Sequence, residues 1–243
     1  MGDSPGTLTL VATPIGNLGD ITYRAVEVLK AADVVLAEDT RHSRRLLDHY
    51  AISKPLVAYH DHNEARVTPG LIERLQRGDN IALITDAGTP GVSDPGFYLV
   101  RAALEAGIPV TMVPGANAVL PALVLSGFPC EAFVFAGFAP RKPGESKRAI
   151  DALTGEPRTT VFYVSPHQLH KFLDRLAEAL PARPIAVARE LTKLHEEVAR
   201  GTAVEVRDHF AKGAPRGEFV VVVKGVGKCR GSAKDDDPED ASA

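Results

Sequence analysis

The amino-acid sequence predicts an α/β protein with two α/β domains and mostly parallel sheets. Short apolar runs that are rich in β-branched residues alternate with segments whose apolar residues recur at helical spacing. The runs contain few polar residues, which is typical of strands that helices cover on both faces. Hydrophobic residues make up 44% of the 243 residues, so the chain has enough apolar surface for a full core.

In the first half of the chain, each predicted strand is followed by a helix with its own start or stop signal. The strands are predicted at 7–12, 33–37, 56–60, 81–85 and 108–113. Asp20 and Thr40 stand where the caps of two helices are expected, at 22–32 and 41–50. A third helix covers 71–77 and ends at Gly78, and a fourth is framed by Asp94 as its cap, Pro95 at its first position and Gly107 beyond its end.

The second half repeats this alternation after the Pro114–Gly115 turn, where we place the domain boundary. A helix is predicted near 117–126, and a strand at 132–138 precedes a polar loop at 139–146. The remaining segments are strands at 159–164, 184–190, 196–201 and 218–225, a helix from Ser165 to about Leu180 and a helix at 202–210. The predicted domains are therefore 7–115 and 116–227. The polar ends, 1–6 and 228–243, carry too little apolar surface to offset the entropy of ordering and are expected to be disordered.

The composition and the missing motifs exclude several classes of protein. Cys130 and Cys229 are far apart and form no CxxC motif, so neither a disulfide framework nor a thiolate zinc site is expected. The chain has no P-loop, no dinucleotide-binding glycine motif and no nucleophile elbow. No apolar run is long enough to cross a bilayer and no signal-peptide pattern is present, so we expect a cytoplasmic protein without a membrane partner. The formal net charge is −3, so a nucleic-acid partner would have to be met by a local basic patch.

The most informative segment is the loop from Asp86 to Gly96, DAGTPGVSDPG, between a buried strand and a helix. Its glycines allow a ligand to approach the backbone closely, and its prolines stiffen the loop. Asp86 ends the strand, where its carboxylate can accept hydrogen bonds from a ribose-like diol or contact a cation. The alternative is a tight connection with a helix cap, but such connections are about 2–6 residues long and need no such composition. A second, weaker ligand loop, ATPIGNLG, follows the first strand at 12–19.

Two polar clusters, Glu38–His42 and His60–Glu64, also follow predicted strands. His60 and His62 would share one face of a strand, which allows a metal hypothesis. The chain has no HExxH motif and no cysteine partner for them, so we expect no metal. The clusters form either a solvated polar rim or a set of hydrogen-bonding groups that faces the substrate, and we favour the second interpretation.

Basic residues cluster at Arg41, Arg44 and Arg45 and, in the second half, at Arg141, Lys142, Lys147 and Arg148. The second cluster lies in the predicted polar loop, with only Glu145 to offset it. Such a loop can contact a phosphate backbone, and it can equally be a solvated face without a partner. The residues alone leave both interpretations open.

Seven segments, taken in this order and spacing, resemble one protein family. They are ATPIGNL, LAEDTRH, YHDHNE, DAGTPGVSDPG, GFAPRK, ARELTK and RGEFVVVV, and they span about residues 7–225. The chain is similar in these segments to the ribosomal RNA small subunit methyltransferase I family, part of the tetrapyrrole methylase superfamily (class III methyltransferases). The resemblance implies a homodimer that binds S-adenosyl-L-methionine in the cleft between its two domains. It also implies 2′-O-methylation of a cytidine ribose in the decoding centre of 16S rRNA, either free or in the small ribosomal subunit.

The resemblance also implies which residues bind each substrate. Those of the cofactor pocket are Pro14, Asp86, Ala87, Gly88, Thr89, Ala116, Asn117, Ala118, Val164, Ser165, Pro166 and Gly217. Those of the RNA site are Arg41, His42, Arg141 and Lys142, with the neighbouring Lys147 and Arg148. Relatives usually have Ser or Thr at the position of Asn117 and Glu at the position of Val164, so the chain departs from the family pattern at these two positions.

The implied reaction is a direct displacement in which a ribose 2′-oxygen attacks the sulfonium methyl group. Catalysis should come mainly from the alignment of the reacting atoms, because the leaving group is already cationic. A positioned base would add to this, and Asp39, His62 and Glu190 are the candidates. The alternatives are methylation of a tetrapyrrole ring carbon and a non-catalytic RNA-binding module. The basic residues at 141–148 favour RNA over a tetrapyrrole, and the intact loop at 86–89 favours an enzyme over a binding module.

Overall fold

The computed structural model describes residues 4–227 and divides them into two units. The first unit comprises the chain up to Pro121 and the segment Arg189–Glu197, and the second comprises Ala122–Ala188 and the chain from Val198 onward. Residues 116–121 and 189–197 therefore belong to the first unit, whereas a boundary at Gly115 would assign them to the second. The predicted disordered ends fall outside the described residues at 1–3 and 228–243. Gly6 is instead part of the fold, because it is buried and its N–H donates to Leu75 O at 2.8 Å.

The sheet of the first unit is parallel at every pairing. Its strands are β1 (Leu8–Val11), β2 (Val34–Ala37), β3 (Leu56–Ala58), β4 (Ile81–Leu83) and β5 (Val110–Val113), and their order is β3-β2-β4-β1-β5. The connecting helices are α1 (Tyr23–Ala31), α2 (Thr40–His49), α3 (Glu64–Gln76) and α4 (Phe97–Glu105). All five strands predicted for this half are confirmed, with shorter ends.

Both faces of this sheet are buried, which explains why its strands carry so few polar residues. In β2, Val34 and Leu36 pack into one apolar cluster, and Val35 and Ala37 pack into another on the opposite face. Helices cover each face, so the polar groups that remain lie where the strands end.

Several helices of the first unit begin at residues other than those predicted. Thr22, not Asp20, caps α1, because its side chain accepts a hydrogen bond from Ala25 N–H at 3.1 Å. Asp39, not Thr40, caps α2, accepting from Arg41 N–H at 2.8 Å.

The other two differences concern α3 and α4. Helix α3, of which the sequence indicated only the end at 71–77, begins at Glu64 and contains Pro69. Helix α4 begins after Gly96, so Asp94 is not its cap and Pro95 precedes it. More than one residue near each start has the chemistry of a cap or a first turn, and the tertiary path of the chain selects one of them.

The sheet of the second unit is mixed, whereas the first sheet is parallel throughout, so most of the pairings described are parallel, as expected. Its order is β6-β7-β10-β8-β9, with β6 parallel to β7 and β10 antiparallel to β7. A fully buried run such as that of β10 suits either direction, so the sequence pattern could not reveal this. The strands are β6 (Phe133–Phe138), β7 (Thr159–Val164), β8 (Pro184–Arg189), β9 (Glu197–Thr202) and β10 (Phe219–Val223).

The helices of the second half are α5 (Val119–Ser126), α6 (Pro143–Ala152), α7 (Pro166–Ala179) and α8 (Ala203–Phe210). Helix α6 replaces much of the predicted polar loop: Pro143 begins it, and Ser146 and Ile150 are its buried residues. Its polar composition hid this one-sided pattern. Within residues 4–227, no helix is both long and apolar enough to cross a membrane.

Candidate active site

The loops that follow β1, β4 and β5 meet at the carboxyl edge of the first sheet. Thr13 N–H donates to Gly88 O at 2.8 Å, and Gly88 N–H donates to Thr13 O at 3.0 Å. Thr89 Oγ1 donates to Ala116 O at 3.4 Å. Because β1 lies between β4 and β5, these contacts bring together the segments that hold the predicted cofactor residues of the first unit, which are Pro14, Asp86, Ala87, Gly88, Thr89, Ala116, Asn117 and Ala118.

Gly88 occupies the point where these loops are closest. Its φ of +83° lies in the left-handed region that favours glycine. A Cβ on Gly88 would lie 3.5 Å from Ile15 Cγ2 and 3.8 Å from Ala116 O. A larger side chain would therefore meet the loops after β1 and β5, so this buried glycine lets the three loops pack together.

Asn117 organises the start of α5. Its Oδ1 accepts a hydrogen bond from Leu120 N–H at 2.9 Å. Ser, Thr and Asn side chains all perform this role at helix starts, which explains physically why Asn can replace the Ser or Thr expected there.

Carboxylates from neighbouring strand ends surround the predicted ligand loop. Asp86 Oδ1 accepts a hydrogen bond from Asp39 N–H at 3.1 Å, which links the ends of β4 and β2. Burial, followed by the nearby charges of Asp86 and Asp61, raises the pKa of Glu38. Burial, followed by the charges of Glu38 and Asp86, raises the pKa of Asp94 to about 7. This edge of the sheet therefore has a negative potential that favours a cation or a hydrogen-bond donor.

Asp39 has a local role that sequence reasoning did not anticipate. It caps α2 and also pairs with Arg41, with 3.1 Å between Asp39 Oδ2 and Arg41 Nη2. The hydrogen bonds from the Arg41 side chain and backbone lower the pKa of Asp39 to about 2. Such a carboxylate stays ionised at neutral pH and is a weak proton acceptor. The base assignment of Asp39 stays a prediction, and the geometry argues against it.

The predicted His60–Glu64 cluster forms a short turn before α3. His60 N–H donates to Asn63 Oδ1 at 2.9 Å, and Asn63 Nδ2 donates to Ala58 O at the same distance. The rings of His60 and His62 contact each other edge to face, with centroids 6.0 Å apart. Across the described range 4–227, no group of three or more His, Cys, Asp or Glu side chains has a geometry that could hold a metal ion.

Glu190 lies on the segment Arg189–Glu197, which belongs to the first unit. Lys193 Nζ lies 2.9 Å from Glu190 Oε1. A Cβ on Gly16 would overlap the Lys193 side chain, so this glycine lets Lys193 lie against the loop after β1. Sequence analysis assigned Glu190 to the site and missed Lys193, although both belong to the ARELTK segment. The sequence does contain a signal for Lys193. It stands three residues after the acidic Glu190, directly after a strand, where the two opposite charges can pair.

The backbone of this segment is unusual. Glu190 has φ +49° and Thr192 has φ +68°. A β-branched residue with positive φ is uncommon, and such conformations persist only where surrounding contacts enforce them.

In the second unit, the predicted cofactor residues lie at the adjacent ends of β7 and β10. Val164 pairs with Phe219 in the antiparallel register, which places Ser165 and Gly217 near each other. Ser165 precedes α7, and Pro166 is the first residue of that helix. The Val164 side chain is 2% exposed and packs into the core of the second unit, so it can offer a ligand only its backbone.

The predicted RNA-binding residues are exposed at the surface of their units. Arg41 and His42 lie on α2, and Lys147 and Arg148 lie on α6 rather than in a loop. Lys142 pairs with Glu145 at 3.2 Å, and Lys147 pairs with Asp151 at 2.7 Å. The structure thus adds Asp151 to the acidic residues that offset this cluster.

Residues 7–207 match the family model for Tetrapyrrole (Corrin/Porphyrin) Methylases. The chain belongs to the tetrapyrrole methylase family. The match extends over both α/β units and confirms the resemblance that the sequence segments indicated.

Curated relatives show which members of the tetrapyrrole methylase family this chain is similar to in sequence. It is 50% identical to a Mesorhizobium japonicum protein over 96% of this chain and 78% of that protein. It is 47% identical to a Halalkalibacterium halodurans protein over 93% of this chain and 78% of that protein. Both relatives are named Ribosomal RNA small subunit methyltransferase I.

Solved structures of tetrapyrrole methylases share the fold. The uroporphyrin-III-C-methyltransferase of Thermus thermophilus is 26% identical, with a TM-score of 0.63, and the match covers 89% of this chain and 94% of that one. A cobalt precorrin-4 methyltransferase is 20% identical, with a TM-score of 0.60 and coverage of 90% and 94%, which shows likeness of fold alone. Methyltransferases of this superfamily use S-adenosylmethionine. The carboxylates at the strand ends of the first unit fit a cationic ligand that carries a ribose.

Proposed function

We propose that this chain transfers the methyl group of S-adenosylmethionine to a ribose 2′-oxygen of a cytidine in small-subunit ribosomal RNA. The observation that carries the proposal is the identity of 47–50% to rRNA methyltransferases over more than nine-tenths of the chain. The sequence resemblance adds the 2′-oxygen and the decoding centre of 16S rRNA. The intact loop at 86–89 supports an enzyme over a binding module, because a protein that only binds RNA needs no cofactor pocket.

The first unit supplies groups suited to hold the cofactor. Asp86 offers a carboxylate to the ribose hydroxyls, and the buried Gly88 holds the loops after β1 and β5 close beside it. When bound, S-adenosylmethionine supplies an electrophilic methyl group on a cationic sulfur. Pro14, Ala87, Thr89, Asn117 and Ala118, and from the second unit Val164, Ser165, Pro166 and Gly217, complete the proposed set.

The contribution of the protein to the chemistry is alignment of the 2′-oxygen with the methyl group, where effective molarities of about 10⁵–10⁸ M are available. A base that takes the hydroxyl proton would add to this. Among the three candidates, Asp39 is the weakest proton acceptor, since hydrogen bonds from Arg41 lower its pKa to about 2. Glu190 pairs with Lys193, which would hold its carboxylate in place.

RNA contacts are proposed for the basic residues of α2 and of the 141–148 region. Three of the cations have acidic neighbours: Arg41 with Asp39, Lys142 with Glu145, and Lys147 with Asp151. Arg141 and Arg148 form no ion pair within 4.0 Å among residues 4–227, so they are best placed to attract phosphate. His42 is exposed beside Arg41 on α2.

We also propose that the protein is a homodimer that works in the cytoplasm, where its ribosomal substrate resides. Helix α5 supports the dimer. Leu120, Val124 and Leu125 on this helix are 49%, 67% and 38% exposed, and Leu120 and Val124, four residues apart, are neighbours on its surface. Burial of these side chains against a second copy would remove a contiguous apolar stripe from water.

The deciding experiment offers labelled S-adenosylmethionine to the protein together with small ribosomal subunits, free 16S rRNA or a tetrapyrrole. Labelled 2′-O-methylcytidine from one of the RNA substrates is the expected product. Transfer to the tetrapyrrole alone would replace the proposal with carbon methylation of that ring. Binding of RNA without any methyl transfer would indicate that the protein is a non-catalytic RNA-binding module.

A further inference from the structure

Phe138, the last residue of β6, is an exposed aromatic side chain that neither the comparisons nor the candidate active site explains. It is 60% exposed. Its ring contacts that of Tyr163 edge to face, with centroids 5.4 Å apart and an interplanar angle of 63°. The ring of Phe135 contacts Tyr163 as well, at 4.9 Å. The Tyr163 ring thus contacts both phenylalanines at the edge of the second sheet, and the Phe138 ring remains open to solvent.

A β-bulge places Phe138 on this face. Phe135 pairs with Val161 and Phe138 pairs with Tyr163, so β6 advances three residues while β7 advances two. Gly137, with φ +70°, supplies the left-handed conformation that such a bulge uses. Side chains alternate along a regular strand, and the extra residue returns Phe138 to the side that Phe135 occupies.

The opposite face of the same strands is the apolar core. Phe162 and Val164, which flank Tyr163 in β7, both pack into that core. Without the bulge, Phe138 would be directed toward this core and not toward solvent. The backbone irregularity therefore has a definite result, which is an aromatic ring presented at the surface.

Basic side chains follow this ring directly. Ala139 N–H donates to Tyr163 O at 2.8 Å, which holds the chain beside β7 as it leaves the strand. Arg141 and Lys142 come next and are exposed, and Arg148 is exposed on the second turn of α6. Ring and cations thus occur together on one short stretch of the second unit.

We propose that Phe138 is a stacking platform for an unpaired RNA base, and that Arg141 and Arg148 contact the phosphates beside that nucleotide. The choice of RNA as the partner rests on the proposed function. Exposed aromatic rings beside cations are how proteins bind single-stranded nucleic acids, because every base has a face that can stack. A surface for another protein would be depleted of charge at its centre, whereas two exposed cations, Arg141 and Lys142, follow Phe138 within four residues.

The test measures the affinity of two labelled probes by fluorescence anisotropy. One is a single-stranded oligocytidylate RNA, and the other is an abasic oligomer with the same number of phosphates. Phe138→Ala should weaken binding of the RNA about 5- to 150-fold, the range expected for loss of one stacked base, and leave the abasic probe unchanged. Phe138→Tyr should bind both probes like the wild type, because it keeps the ring. Phe138→Leu keeps apolar bulk without the ring and should behave like the alanine variant.

Two further variants serve as controls. Tyr23→Ala removes an aromatic side chain that is 93% exposed on α1, outside this surface, and should change neither affinity. Arg141→Ala should weaken the binding of both probes, because contacts to phosphate do not depend on whether a base is present.

Three outcomes would overturn the proposal. The first is equal RNA affinity for Phe138→Ala and the wild type, and the second is a matching loss of affinity for both probes. The third is a smaller mass of the Phe138→Ala variant in light scattering, which would assign the ring to an interface between copies. Methyl transfer is measured separately: its absence in the wild type would remove the proposed function, and the Phe138 effect on oligocytidylate would still decide the stacking role.

Discussion

Asp86 and Asp39 are joined across the first sheet: the backbone N–H of Asp39 donates to Asp86 Oδ1 at 3.1 Å. The bond orients the Asp86 carboxylate with one of its oxygens and leaves the other for a ligand. It also fixes the backbone at the start of α2, where Asp39 is the cap. A residue of the predicted cofactor loop is thus held by the predicted RNA-binding region, and both belong to the first unit.

We expect Asp86→Ala to weaken binding of S-adenosylmethionine by about tenfold or more. A hydrogen bond to a charged group contributes about 1.5–3 kcal/mol, and about 1.4 kcal/mol corresponds to a factor of ten. Isothermal titration calorimetry of the variant and the wild type measures this directly. Asp86→Asn keeps an acceptor for the Asp39 N–H and separates the loss of charge from the loss of that support. Equal cofactor affinities for all three proteins would refute the role of Asp86.

Gly88→Val should reduce both stability and cofactor affinity. At φ +83° a non-glycine residue costs about 1–2 kcal/mol, and the valine methyl groups would meet Ile15 and Ala116. Gly91→Val is the matched control, because Gly91 has φ +80° but no atom within 4 Å of its Cβ position.

Urea unfolding and calorimetry compare the two glycine variants. Both should lose stability from backbone strain, and only Gly88→Val should lose cofactor binding beyond that. If Gly91→Val weakened cofactor binding as much as Gly88→Val does, the crowding at Gly88 would not explain the loss of affinity.

Asp94→Asn should make the free energy of unfolding less dependent on pH. The pKa of Asp94 is raised to about 7 in the folded protein, from an ordinary value of 3.8. Between these values the folded state binds more protons than the unfolded state, so this group lowers stability as the pH rises from about 4 to 7. The variant should therefore be more stable than the wild type at pH 8, and the difference in stability should be smaller at pH 5.

Urea titrations at both pH values measure the difference, with Asp48→Asn on the exposed side of α2 as a control for net charge. An equal gain at both pH values would contradict the assignment of a raised pKa to Asp94.

The double variant Arg141→Ala, Lys142→Ala should weaken RNA binding and flatten its dependence on salt. Each phosphate of single-stranded RNA that the protein no longer neutralises reduces the slope by about 0.7 log units per log unit of salt. Cofactor affinity should be unchanged, because a cationic sulfonium gains nothing from nearby positive charge. Lys147→Ala should have a smaller effect, since Asp151 already offsets that cation at 2.7 Å. Loss of cofactor binding in the double variant would mean that this region also supports the pocket.

Val124→Glu should convert the proposed homodimer into a monomer. Val124 is 67% exposed on α5, so the change leaves the fold of a single chain intact and places a charge in the proposed contact. Multi-angle light scattering should give twice the single-chain mass for the wild type and the single-chain mass for the variant. A monomeric wild type at micromolar concentration would refute the dimer.

Local patterns in the sequence were sufficient to predict the alternation of strands and helices and the long loop between β4 and α4. Strands such as β2 and β4 are short, wholly apolar runs bounded by polar residues, and burial on two faces requires that composition. The Asp86–Gly96 loop could be recognised because its glycines and prolines satisfy backbone demands that are local to the loop. The family resemblance has the same origin, since its segments are the strand ends and loops where the residue types are most constrained.

The caps of α1 and α2 and the helix α6 were mistaken because several nearby residues satisfy the same local rules. Thr22 and Asp20 both have capping side chains, and only the path of the chain into α1 selects Thr22. The polar surface of α6 hides its two buried residues, Ser146 and Ile150.

Only the tertiary structure decided the relationships between residues that are distant along the chain. Asp86 contributes to the raised pKa of Glu38, and Glu38 and Asp86 contribute to that of Asp94, because β2 and β4 are neighbours in the sheet. Strand order is not encoded in any single segment. Lys193 lies against Gly16 because the segment Arg189–Glu197 joins the first unit. The antiparallel direction of β10 depends on how it pairs with β7. The exposure of the Phe138 side chain depends on the pairing of β6 with β7, where β6 has one extra residue. The sequence by itself determined most of the strands and helices and the long loop after β4, because those depend on local burial and backbone geometry. Pairing, register and the electrostatic environment of each carboxylate depend on the neighbours that folding brings together.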